Sequence, residues 1–217
     1  NLEIWDVSYG GNIRRIETTR NGNNFVFRLE TDSLREFRAF DGSSFGVPEF
    51  AGKIENQNLH GTDVPDYLMV VYPAFMAEAE RLAAFHRENT GLSVLITTPE
   101  KIYNEFSSGA QDITAIRDYV RMMYNKAGQT GKPRYLLLFG DASYDYKNRI
   151  QDNTNFIPTY ESTESLSPVS SFVSDDYFGL LDSDEGQSAK GELNIGIGRL
   201  PVSTPAQAAS AVDKVIH

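Results

Sequence analysis

The chain contains no cysteine, and that one absence removes several chemistries at once. Without thiols there is no disulfide framework, no Cys-ligated zinc or iron–sulfur site, and no cysteine nucleophile within these 217 residues. Basic residues are also in deficit, with 20 Lys plus Arg against 30 Asp plus Glu and a formal charge of −10. Phosphate-backbone binding needs clustered Lys and Arg, so nucleic acid is a poor partner. Long apolar runs are missing too. The longest, residues 67–75 and 135–139, fall well short of the roughly 18–20 apolar residues of a membrane-spanning helix. They read as buried strands.

What is present is an ordinary folded composition, 40% apolar. Residues 1–60 read as the C-terminal part of a β-rich domain and a linker. Ile13 to Thr19 and Asn23 to Leu29 are strand-like, and Asn21-Gly22-Asn23-Asn24 joins them as a hairpin signal, because Gly and Asn tolerate positive φ. Arg35 to Phe40 adds a further short strand. From residue 61 the texture changes to continuous apolar strands alternating with amphipathic helices. Strands are expected at Tyr67–Tyr72, Leu92–Thr97, Tyr135–Phe139, Tyr177–Leu181 and Leu193–Gly198. Helices are expected after Pro73, at Pro99–Phe106, at Asp112–Lys126 and from Pro205 onward. This is the pattern of an α/β fold, a mostly parallel sheet with helices on both faces, preceded by a small antiparallel β segment. Both chain ends look cut: Asn1 is not a methionine, no signal-like stretch follows it, and the last helical pattern stops unfinished at His217.

In such sheets ligands bind beyond the carboxyl ends of the strands, which directs attention to Pro73, Thr97-Thr98, the turn Gly140-Asp141-Ala142-Ser143, and Arg199. Asp141 is either a ligand-facing carboxylate or, the reading preferred here, a loop residue capping N–H groups of its own turn. Asp182 and Asp184 form a weak Ca²⁺ candidate, since closely spaced carboxylates suit a hard cation, but Asp, Ser and Gly are also the ordinary turn formers. His60, His86 and His217 are scattered, with no metal spacing and no adjoining nucleophile. No nucleophile elbow, P-loop or dinucleotide fingerprint occurs. Gly196-Ile197-Gly198 lies inside a strand, where glycines favour close packing more than phosphate approach. The polar stretch 143–172 is long enough to be a functional loop.

Four ordered blocks carry a resemblance: Pro133-Arg-Tyr-Leu-Leu-Leu-Phe-Gly-Asp141, Phe172-Val-Ser-Asp-Asp-Tyr-Phe-Gly-Leu180, Asn194-Ile-Gly-Ile-Gly-Arg-Leu-Pro-Val202 and Ala211-Val-Asp-Lys-Val-Ile-His217. Together they resemble the first half of a gingipain-type cysteine peptidase domain, with the sortases of the type IX secretion system as the best fit inside that family. The resemblance implies a caspase-like first subdomain over 61–217, with the catalytic Cys and His in a second subdomain. No catalytic residue is therefore carried over to this chain, and His217 does not match the family's histidine. It also implies a parent enzyme at the bacterial outer-membrane surface or outside the cell. That parent would remove a C-terminal signal domain from secreted cargo and join the new end to a surface lipopolysaccharide. Its implied partners are the second subdomain, the cargo and other secretion components. No cofactor is required for such chemistry, though family members bind Ca²⁺. Loop 143–172 would then wall part of the cargo groove. Two other readings compete: a non-catalytic, protein-binding α/β module, and, ranked last, a flavodoxin-like cofactor domain.

Overall fold

The computed structural model describes residues 2–30, 32–50, 52–128, 131, 133–164 and 166–217. They divide into two compact units, Asn1–Glu55 and Asn56–His217.

In the first unit, β1 (Glu3–Asp6) is the middle strand of a three-stranded antiparallel sheet. Its neighbours are β2 (Arg14–Ile16) and β5 (Phe37–Phe40), in register at Ile4↔Ile16 and Ile4↔Ala39. β3 (Thr19–Asn21) and β4 (Asn24–Val26) form a separate hairpin. The expected turn is there, with Gly22 at φ +62°, a conformation Gly adopts without strain. The expected strand at Ile13–Thr19, however, is split: Arg14–Ile16 and Thr19–Asn21 belong to different sheets. The physical reason is the lack of a core to hold one long strand. Among the described residues of this unit Ile4 is the one buried hydrophobic side chain. Edge-on ring pairs, Trp5–Phe40 at 5.3 Å, Phe27–Phe37 at 5.2 Å and Phe40–Phe45 at 5.7 Å, add apolar contact.

The second unit is built on four parallel strands in the order β11-β8-β6-β7: β6 (Tyr67–Val71), β7 (Val94–Thr97), β8 (Tyr135–Phe139) and β11 (Gly196–Leu200). Side chains alternate across the sheet, as a strand's two-residue period requires. Leu68, Val70, Leu136 and Leu138 face one apolar layer with α2 (Pro99–Phe106) and α3 (Ile113–Lys126). Met69, Val71, Leu137 and Phe139 face the other, with α1 (Met76–Asn89) and α4 (Pro205–Ile216). Burial on both faces explains why these strands read as unbroken apolar runs. Capping fixes the helix starts. Thr98 accepts from the Lys101 N–H, Asp112 from the Thr114 N–H, and Thr204 with Gln207 forms a reciprocal capping box behind Pro205. Gly91 at φ +67° follows the end of α1.

Two strand expectations need correction. Residues Tyr177–Leu181 are not a strand; Asp176–Gly179 is a 3₁₀ turn. Phe178, Leu180 and Leu181 are buried as an apolar strand would be, but among the described residues no strand pairs with them. Their backbone is instead met by Asn194, whose N–H donates to Gly179 O and whose Oδ1 accepts from the Leu181 N–H. The strand expected at 193–198 starts three residues later and ends two later, at Gly196–Leu200, because its pairing with β8 starts at Gly196↔Tyr135. Two short strands, β9 (Tyr160–Glu161) inside the long polar stretch and β10 (Val173–Ser174) just after it, pair with each other.

Candidate functional site at the carboxyl ends of the strands

Arg199 sits near the end of β11 and organises the surface expected to carry function. Its side chain is 11% exposed. Nε and Nη2 donate to the two oxygens of Asp175, both at 2.7 Å. Nη1 donates to Gly140 O at 2.9 Å and Ile157 O at 2.8 Å. A planar guanidinium can serve a carboxylate and two carbonyls at once because its donors lie in a fixed fork. Asp175 also accepts the Thr159 hydroxyl at 2.9 Å. Three of the four sequence blocks quoted above thus meet on one side chain: the end of 133–141, the Asp pair of 172–180, and the Gly-Arg of 194–202.

Asp141 lies beside this knot. Its carboxylate does not cap the N–H groups of its own turn, so that expectation is corrected. It accepts the Thr154 hydroxyl at 2.7 Å and the Ser203 hydroxyl at 3.1 Å, tying the long loop to the approach of α4. The capping role falls to Asp145, whose carboxylate accepts the N–H groups of Arg149 and Ile150. Gly140, at φ +155°, is hemmed in by Ile157, Phe156 and Tyr72, each 3.3 Å from where a Cβ would sit. Phe156 in turn stacks on Tyr72 at 4.0 Å. The loop after β8 is therefore packed down over the strand ends at its start and return.

The Asp182–Asp184 segment is organised by a cation, but the cation is a side chain. Arg117 on α3 is buried; its Nε donates to Leu180 O at 2.6 Å, and Nη2 to Glu185 O at 2.9 Å and Asp182 O at 3.4 Å. It also lies over the Tyr177 ring at 5.5 Å. Gly186, at φ +90°, is required here, because a Cβ would approach the guanidinium carbon to 2.7 Å. Glu185 closes the loop by accepting the N–H groups of Asp182 and Glu192. Asp182 and Asp184 are exposed, and Asp182 Oδ2 reaches only Asn194, at 3.5 Å. Among the described residues no group of three or more His, Cys, Asp or Glu converges as a metal site would need.

The histidines are dispersed. His60 Nδ1 lies 2.7 Å from Glu105, and His86 stands edge-on to Tyr67 at 5.1 Å. Burial lowers the His86 imidazole and pushes the Tyr67 phenol up to about 12, so both are neutral near pH 7. His217 ends α4, its N–H on Asp213 O. Arg117 organises this loop without belonging to any motif of the sequence. The available signal was a cation at position 117 inside the apolar stripe Ile113, Ile116, Val120, Met123.

With this geometry in place, comparison with known proteins is decisive at the level of family. The Peptidase family C25 profile matches residues 60–217. The chain belongs to this family. None of the curated proteins matches it. Among solved structures it is similar to dimeric latent PorU from Porphyromonas gingivalis, with a TM-score of 0.82 and 35% identity. The match covers 99% of this chain and 22% of that one. The C25 membership extends over the parallel-sheet unit and its Arg199 knot, while the likeness to PorU takes in the β unit as well.

Proposed function

We propose that the chain is the scaffold half of a PorU-like cysteine endopeptidase. In this reading the parent enzyme removes the C-terminal signal domain of type IX secretion cargo at the cell surface and passes the new carboxyl end to lipopolysaccharide. The observation that carries the reading is a combination. A C25 subdomain with a built-up surface at its strand ends contains no thiol, and cysteine peptidase chemistry requires a thiolate nucleophile. The Cys–His pair then belongs to a second subdomain. What these residues contribute is positional. Arg199 and Asp141 fasten the loop after β8 at Gly140, Thr154 and Ile157, so its first half can serve as a stationary wall for an extended polypeptide, and stationary walls hold a scissile bond near its attack geometry.

The experiment compares this chain with the full-length parent on a labelled cargo carrying its C-terminal domain. Cleavage is expected from the parent, abolished by thiol alkylation, with none from the 217-residue chain. Turnover by the chain that survives repurification, or a parent indifferent to alkylation, contradicts the proposal.

A further inference from the structure

The turn that leaves β8 is built around a buried charge. Among the described residues of the parallel-sheet unit, Asp145 is the one buried carboxylate. Its charge is met by backbone, as Oδ2 accepts the N–H groups of Arg149 and Ile150. Asp145 O accepts the Asn148 N–H at 3.1 Å and the Asn153 amide at 2.7 Å, and its N–H donates to Ser143 Oγ at 3.1 Å. Gln111 holds the next residue, donating to Tyr146 O at 2.8 Å. A backbone fixed at so many points presents its side chains before any partner arrives, which lowers the ordering cost of binding. Tyr144, Tyr146, Lys147, Arg149 and Ile150 are all exposed and line a hollow of about 320 Å³. Among the described residues neither charged head, of Lys147 or of Arg149, meets a carboxylate, whereas Arg81, Arg134 and Arg199 of the same unit each do. The chain carries −10 overall, so it repels acidic partners except where cations stand together unanswered. Tyr and Arg are also the side chains by which protein surfaces grip one another most strongly. An anionic sugar needs a free ring to stack on, and the Tyr146 ring is already engaged by Lys147 Nζ, 5.3 Å from its centroid.

We propose that the turn 144–150 is a docking point for an acidic segment of a partner polypeptide. Lys147 and Arg149 meet two of its carboxylates, and Tyr144 and Ile150 pack on the apolar side chain between them. The buried Asp145 keeps the turn in shape while its own charge stays satisfied by N–H groups. None of this rests on the peptidase activity of the parent, so a parent that leaves cargo uncut would not touch it.

The test is an NMR titration of the isotopically labelled 217-residue chain at low ionic strength. The probes are acetyl-Gly-Glu-Leu-Glu-Gly-amide, its glutamine counterpart, and digalacturonate, a saccharide with the same two carboxylates. Millimolar binding is expected for the glutamate peptide, with shifts centred on the amides of 144–150, and about tenfold or more weaker binding for the glutamine peptide. Digalacturonate should bind about fivefold or more weakly than the glutamate peptide, since it has no side chain to place on Tyr144. Lys147→Gln combined with Arg149→Gln should weaken the glutamate peptide by about tenfold, whereas Lys190→Gln should leave it unchanged. Both side chains are exposed, so the double variant should keep the thermal midpoint of the unaltered chain. Equal binding of the two peptides, shifts centred elsewhere, indifference to the double variant, or absence of binding overturns the proposal. Digalacturonate binding as tightly as the glutamate peptide overturns its polypeptide form.

Discussion

Arg199 and Arg117 are both guanidinium groups taken largely out of water, each pinning a loop to the parallel-sheet unit, and they are satisfied by different means. Arg199 meets a carboxylate in a two-pronged pair and adds two carbonyls. Arg117 meets carbonyl oxygens and the face of a tyrosine, with no carboxylate among its partners. The difference lies in what each leaves behind when removed. Truncating Arg199 strands Asp175, whose partly exposed charge is then left beside the strand ends with only the Thr159 hydroxyl for company. Truncating Arg117 strands neutral carbonyls, which water entering an exposed loop can reach. A buried pair is thus the more fragile arrangement, even though both arginines form similar numbers of bonds.

The largest effect should come from Arg199→Met, about 2–4 kcal/mol of unfolding free energy, below the cost of orphaning one partner of a fully buried pair because Asp175 keeps some contact with water. Urea unfolding measures it. Adding Asp175→Asn to that variant should recover part of the loss, because the stranded charge goes with it. A double variant no more stable than the single one would break the distinction between the two arginines.

Next in size is Arg117→Met, about 1–3 kcal/mol, from charged donors lost to the Leu180 and Glu185 carbonyls. Its signature should be local. Amide exchange in 180–192 should speed up, while the turn held by Arg199 keeps its protection. If Arg117→Met costs as much as Arg199→Met, or loosens both loops together, the two knots are one cooperative unit.

Much of this architecture could be read from the amino acids. Strands buried on both faces announce themselves as runs such as Tyr135–Phe139, and the caps at Thr98, Asp112 and Thr204 lie where helical periodicity begins. What escaped was whatever depends on a partner distant in sequence. Residues 177–181 have the apolar content of a strand, and nothing local says that Asn194 will satisfy their backbone in place of a neighbouring strand. Arg199 was marked by its place at a strand end, but its pairing with Asp175, 24 residues earlier, was not. Asp141 was placed at the right strand end with the wrong bonds, since its partners Thr154 and Ser203 are 13 and 62 residues away. Local chemistry fixes turns and caps; long-range pairing decides which loop is held and by what.

The smallest expected effect tests the inverse arrangement, a carboxylate that gathers donors. Glu105 accepts the Leu59 N–H at 2.7 Å and the Gln57 amide at 2.9 Å, and lies 2.7 Å from His60 Nδ1. His60 stacks on Phe106 at 4.8 Å, and Lys126 Nζ donates to the His60 and Thr62 carbonyls. Residues 57–62 are thereby fastened to α2 and α3. Burial, the largest single influence, pushes the Glu105 carboxyl up, but the bonds from Leu59, Gln57 and His60 together outweigh it and leave it below the ordinary value. A carboxylate whose folded value is depressed contributes stability that is present above its unfolded value and is lost as pH falls through the folded one. Amide signals of Leu59 and His60 should therefore shift, and lose exchange protection, with a midpoint below the ordinary glutamate range of about 4.3, while those of β6 and β8 hold. Glu105→Gln keeps an acceptor and removes the charge, so its linker amides should show no such midpoint. A titration that persists in Glu105→Gln would move the effect to another group and leave the two buried arginines without their acidic counterpart.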